Sequence, residues 1–153
     1  MVENASMPTQ IKYFWCISIV LALLWSGFAV FDTFVALSAA NQALHPTAYR
    51  VIELVHLAYT VVIWGGIVIF SGWLVSVRRK SWARYLFIGV VLVRIAIPVL
   101  TSAYYSGLNA VVPALLQLIR FEWRIYVTIL LLITGSLFAF SPAARRWLSA
   151  KAA

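Results

Sequence analysis

The stretch AYRVIELVHLAYTVVIWGGIVIFSGWLVSVRRKSW, residues 48–82, decides the fold. It is apolar from Val51 to Val77 with few interruptions, then turns abruptly cationic at Arg78, Arg79 and Lys80, with Arg84 just beyond. Roughly 20 mostly apolar residues cross the ~30 Å hydrocarbon layer of a bilayer as a helix. The run is therefore long enough to span, and the cations mark the side on which it ends.

Three further stretches have the same character. Spans are expected at about Lys12 to Leu37, Ala48 to Val77, Trp82 to Tyr105 and Glu122 to Phe140. Of the 153 residues 64% are hydrophobic and 10% charged, which lies outside the range of soluble domains. The backbone inside lipid must satisfy its own hydrogen bonds, and no alternation typical of a barrel is present. The expected fold is all-α: a single transmembrane domain, an integral membrane four-helix bundle whose principal partner is the lipid bilayer.

Lys12 before an apolar run resembles the start of a secretory signal. Signal cores run to about 15 residues, however, and this run is longer, with Asp32 placed before any cleavage site. An uncleaved anchor is expected. Arg78, Arg79, Lys80 and Arg84 between the second and third spans, with Arg145, Arg146 and Lys151 in the tail, then place both termini in the cytoplasm of a bacterial inner membrane. The net charge of +8 is accounted for by these topology signals, so no nucleic-acid partner is expected. Tyr and Trp gather at both ends of the spans as aromatic belts, among them Tyr13, Trp82, Tyr85 and Trp147 on one side and Tyr104, Trp123 and Tyr126 on the other. Trp25 and Trp64 lie deeper and are candidates to line a cavity.

Between the third and fourth spans the chain is awkward. A single helix from Pro113 to Phe140 would be about 42 Å long at 1.5 Å per residue, and Arg120, Glu122 and Arg124 would fall inside it. An amphipathic helix over 113–121 lying at the outer surface is favoured over a helix standing proud of the bilayer.

Polar residues within the spans carry the functional information, because placing them in lipid costs several kcal/mol and they turn inward instead. Helical spacing puts Ser18, Trp25 and Asp32 on one stripe of the first span, and Glu53, His56, Thr60, Trp64 and Ser71 on one stripe of the second. Arg94, Pro98 and Thr101 share a stripe of the third, and Arg124, Thr128 and Gly135 of the fourth. Arg94 lies ten residues beyond Arg84, near the bilayer midplane, too deep to reach a headgroup. It needs a partner, and Asp32 or Glu53 could supply one. The cluster is either a packing device or a substrate-binding or proton-relaying site built from Asp32, Glu53, His56, Arg94, Trp25, Trp64 and Arg124.

Glu53 and His56 also form an E-x-x-H pair, the spacing by which bundles present metal ligands. No second pair exists, so no metal or cofactor is expected. Cys16 stands alone and reads as a small packed hydrophobe. Gly65, Gly66 and Gly72 read as points of close helix approach.

Leu23, Leu24, Trp25, Ser26, Gly27, Phe28 and Phe31 to Asp32 resemble the first-span pattern L-L-W-N-x-x-G-x-x-D of a family of small four-helix bacterial inner-membrane proteins. The stretch from Gly65 and Gly66 through Arg78, Arg79, Lys80, Trp82 and Ala83 is similar to that family's second-span exit. Ser26 stands where the pattern has Asn, and Ala29 where it has Gly. The resemblance covers about half of the chain. It implies the four-span architecture and marks Trp25 and Asp32; some members carry an automatic sugar-transporter label. Three functions stay open. A small-solute carrier, as a homodimer, is favoured over an accessory subunit that binds another membrane protein through its polar stripes, and over a metal-dependent enzyme using Glu53 and His56. The carrier and enzyme readings both predict that Glu53→Gln abolishes activity.

Overall fold

The computed structural model describes residues 7–39, 46–106, 112 and 123–149, and every regular element among them is helical. Helix α1 runs over Thr9–Ala39 and α2 over Pro46–Tyr59. A π-helical turn, Thr60–Gly65, joins α2 directly to α3, Gly66–Ser76. Helix α4 covers Ala83–Ser106, α5 covers Trp123–Ala139, and the short α6 covers Pro142–Ser149. The helix expected over 113–121 lies outside the described residues.

The ends of these elements follow from local chemistry. Proline opens both α2 and α6, where its missing N–H is no loss. Ser141 caps α6 by accepting from the Ala144 N–H at 3.2 Å, and the chain bends by 57° between α5 and α6. The connection after α3 is closed by the Lys80 N–H donating to the Leu74 carbonyl at 2.9 Å. Within it Arg79 adopts φ 51°, the left-handed region that L-residues occupy only at a cost. Its guanidinium lies 3.7 Å from the centre of the Trp147 ring, which ties this turn to α6.

Neighbouring helices run antiparallel. From one end of α1 to the other, Tyr13 meets Phe138, Ile17 lies opposite Gly135, Trp25 bonds Thr128, and Asp32 pairs with Arg124. Against α3 the order is likewise reversed, with Gly72 opposite Trp15 and Ser18, and Gly65 opposite Ala22 and Ser26. Helix α4 joins through an edge-on contact of Phe87 with Phe14 at 5.0 Å, and Arg84 Nη1 donates to the Ala139 carbonyl at 3.3 Å.

The core lies in the half near the start of α1, where Ile11, Phe14, Leu21, Val68, Val75, Phe87 and Val91 are buried. Helices approach most closely there. A Cβ on Gly72 would stand 2.7–2.8 Å from Ser18 and Trp15, so only glycine admits this contact. The outer surface is apolar on every long helix: Leu23, Phe34, Val62, Leu92, Leu130 and Leu137 are all more than half exposed. Such a surface belongs in lipid. Two helices, Thr9–Ser38 and Thr47–Ser76, are long and apolar enough to cross a membrane, and Trp123–Ala139 with Pro142–Ser149 makes a third if the bent pair is one span.

Two expectations change here. Cys16 is exposed on the outer face of α1 rather than packed, because Phe14 and Ser18 on either side take the inward positions. The second span is not one regular α-helix either. The π turn inserts a residue where Gly65 closes on Ala22 and Ser26, which breaks the common register of the stripe from Glu53 to Ser71.

Candidate functional site: a polar cavity between four helical segments

In the half of the molecule remote from the start of α1 the helices separate around a partly open cavity of about 280 Å³. Each wall comes from a short helical repeat. Helix α1 supplies Trp25, Phe28, Ala29 and Asp32, at the i, i+3, i+4, i+7 spacing of one face. His56 and Thr60, one turn apart, come from the end of α2 and the start of the π turn; Arg94 and Ile95 come from α4, and Arg124, Ile125 and Thr128 from α5.

Five of the seven residues expected from sequence therefore line one space: Trp25, Asp32, His56, Arg94 and Arg124. Trp64 is buried beside it and does not line it; its ring centre lies 5.9 Å from the Arg94 guanidinium carbon, at the outer limit of a cation–π contact. Glu53 is half-buried on α2, in the row of Tyr49 and Leu57, and does not line the cavity. Thr60, Thr128 and Phe28 were not singled out from sequence. Both threonines lay on the polar stripes and were legible in that sense, whereas Phe28 carries no signal beyond sitting one turn from Trp25.

At the mouth Asp32 is bound by Arg124. A single guanidinium nitrogen, Nη1, donates to both carboxylate oxygens at 2.8 and 2.7 Å, with Asp32 the more exposed partner. Phe28 and Phe31 flank the same guanidinium, its carbon 4.9 and 5.7 Å from their ring centres. Behind this pair, the Trp25 indole N–H donates to Thr128 Oγ1 over a long 3.4 Å, and that hydroxyl donates to the Arg124 carbonyl at 2.9 Å. The mouth is thus a connected α1–α5 network.

Arg94 is different. The sequence reading offered it Asp32 or Glu53, but Asp32 is taken by Arg124, which enters from the facing helix at the same level. Among the described residues the half-buried Arg94 makes no hydrogen bond and no ion pair. Thr60 is in the same position: 2% exposed, with an Oγ1 that lacks a partner among the described residues. A threonine within a helix ordinarily returns its hydroxyl to the carbonyl four residues back, as Thr101, Thr128 and Thr134 do here. Thr60 opens the π turn, where that spacing is lost.

Two guanidiniums thus face a space that contains one carboxylate. Among the described residues no group of three or more His, Cys, Asp or Glu could hold a metal ion. No protein-family model matches the chain, and neither a curated protein nor a solved structure is found to be similar to it.

Proposed function

We propose that the chain is a four-span bacterial inner-membrane bundle with both termini in the cytoplasm, and that its outer-half cavity binds a small solute in the course of transport. The observation carrying this reading is the cavity itself, lined from all four spans by residues that a lipid-buried interior would otherwise exclude. Antiparallel packing supports four crossings, since it brings Lys12, Arg78, Arg79, Lys80, Arg84, Arg145 and Arg146 to one end. That end is the cytoplasmic one by the positive-inside rule. Helix α4, with 24 residues, is about 36 Å long at 1.5 Å per residue, sufficient to cross.

The accessory-subunit alternative relied on polar stripes available to another membrane protein. Trp25, Arg94, Arg124 and Thr128 of those stripes line the cavity, and many of the large exposed side chains of the helices are apolar, which favours the carrier reading. The residue at the centre of the mechanism also moves. Arg94 and Asp32 line the cavity while Glu53 does not, so Glu53→Gln is now expected to retain activity. A solute entering from outside meets the Asp32–Arg124 pair first and Arg94 deeper in.

The test is uptake into proteoliposomes holding the purified chain, with a labelled panel of sugars, amino acids and organic acids. At least one compound should accumulate above protein-free vesicles, and Arg94→Gln should lower its rate about tenfold or more, the loss of one charge-assisted contact. Uptake of none of the panel by correctly inserted protein would contradict the carrier reading.

A further inference from the structure

Taking the solute-cavity reading as its basis, we infer that the solute is a small organic oxyanion whose carboxylate or phosphate group is seated on Arg94. The donors and acceptors of the cavity decide this. Its one carboxylate, Asp32, has both oxygens engaged by Arg124, so no anionic group is left to receive a cationic solute. Among the cavity's polar groups left without a partner among the described residues, the Arg94 guanidinium is a donor only and carries a charge, and the Thr60 hydroxyl and His56 imidazole can donate. A guanidinium fork complements an oxyanion, and the Thr60 side chain lines the same cavity. A neutral sugar would leave the Arg94 charge uncompensated, whereas an oxyanion both neutralises it and accepts its N–H groups.

Charge points the same way. Arg94 and Arg124 against Asp32 leave the cavity one positive charge in excess. A half-buried guanidinium in a low-dielectric surrounding favours an anion in contact with it, and among the described residues Arg94 has none, Asp32 being paired with Arg124 and acting on it only across the cavity. The cavity volume of about 280 Å³ lies at the low end of ligand pockets, which run from about 300 to 1,000 Å³, so the solute is small. Trp25, Phe28 and Ile95 give the remaining wall an apolar character suited to an organic body.

The test is binding to the full chain in phosphatidylcholine nanodiscs, read by tryptophan fluorescence, since Trp25 lines the cavity and Trp64 adjoins Arg94. The probes are acetate, benzoate, succinate and inorganic phosphate, with acetamide and benzamide as uncharged matches. At least one anion should bind about tenfold or more tightly than its uncharged match, and Arg94→Gln should abolish that preference. Thr60→Val, which keeps the side-chain shape, should weaken the same anion about twofold to tenfold while the melting temperature holds or rises. Arg94→Gln removes an unpaired charge and should fold, checked by its helical circular dichroism. Repeating the titration in phosphatidylglycerol separates two sources of the anion. Probe affinity that falls in wild type but not in Arg94→Gln assigns the seat to a lipid phosphate; equal affinities assign it to a soluble acid.

Amides binding as tightly as the acids, unchanged in Arg94→Gln, would overturn the oxyanion assignment and leave the solute cavity standing. Binding of no probe would overturn both.

Discussion

The two halves of the molecule are made from the same four apolar stretches and differ in how closely the helices pack and in where their charged groups go. Near the start of α1, small residues draw the helices together, and Ser18 and Ser71 turn back on their own backbones. Ser18 donates to the Phe14 carbonyl at 3.0 Å and Ser71 to that of Val68 at 2.8 Å. Among the described residues a single hydrogen bond there crosses between helices, from Arg84 to the Ala139 carbonyl at 3.3 Å. Around Trp25, Asp32, Arg94 and Arg124 the helices stand apart, polar groups bond between helices, and two of them find no partner among the described residues. The first half uses packing to hold the chain together. Each half buries polar atoms with no partner among the described residues, Ser76 Oγ and Trp147 Nε1 in the first and Thr60 Oγ1 in the second; what sets the second apart is a cavity lined by Arg94, which leaves interactions available to something else.

That contrast is broken most sharply at Gly72. Gly72→Ala places a Cβ within 2.8 Å of the Ser18 Cβ, which no rotamer change relieves. Overpacking of this kind costs about 1–3 kcal/mol, so the melting temperature in detergent should fall by several degrees. A variant as stable as the parent would show that the closed half is not tightly packed. The matching change in the π turn, Gly65→Ala, meets its nearest neighbour, Ser26 Oγ, at 3.5 Å and should be nearly neutral in the same melt.

A smaller effect is expected at the mouth. The Asp32–Arg124 pair has short contacts but a carboxylate that is 57% exposed, so solvent screens it. A double-mutant cycle with Asp32→Asn and Arg124→Gln should give a coupling of about 0.5–1 kcal/mol. Coupling of several kcal/mol would mean the pair is sealed from water and the cavity closed. Smallest of all is Trp25→Phe, which loses a 3.4 Å bond but leaves the Thr128 hydroxyl donating to Arg124. Because no buried group is orphaned, the loss should stay below about 1 kcal/mol. A larger loss in chemical denaturation would assign the indole a structural role beyond that bond.

Much of this arrangement was legible in the residues. Hydropathy located the helices to within a few positions, as with Lys12 to Leu37 against the observed Thr9–Ala39 and Trp82 to Tyr105 against Ala83–Ser106. The cost of polar groups in lipid pointed to Trp25, Asp32, His56, Arg94 and Arg124, which now line one cavity. What could not be read depends on contacts between helices. Nothing in TVVIWG announces a π turn; the insertion accompanies the seating of Gly65 on α1. That same turn puts Ser71 beyond it out of the register of an unbroken 3.6 period, while Glu53, ahead of the turn, lies in the row of Tyr49 and Leu57 and falls outside the cavity. Asp32 had two arginines within plausible reach, and only the level at which α5 passes α1 selects Arg124 over Arg94. The bend at Ser141 and Pro142 did have a signal, a serine cap ahead of proline, but hydropathy alone runs past it.

The central claim, a water-filled cavity open to the outside in one half and a sealed core in the other, is tested most directly by cysteine accessibility in intact cells. In a Cys16→Ser background, Ala29→Cys on the cavity wall and Ala22→Cys in the closed packing would each be exposed to a membrane-impermeant thiosulfonate added outside. Rapid labelling of Ala29→Cys with none of Ala22→Cys is the predicted result. Ala29→Cys that stays unlabelled from outside, or reacts only once the cytoplasmic face is opened, would contradict it.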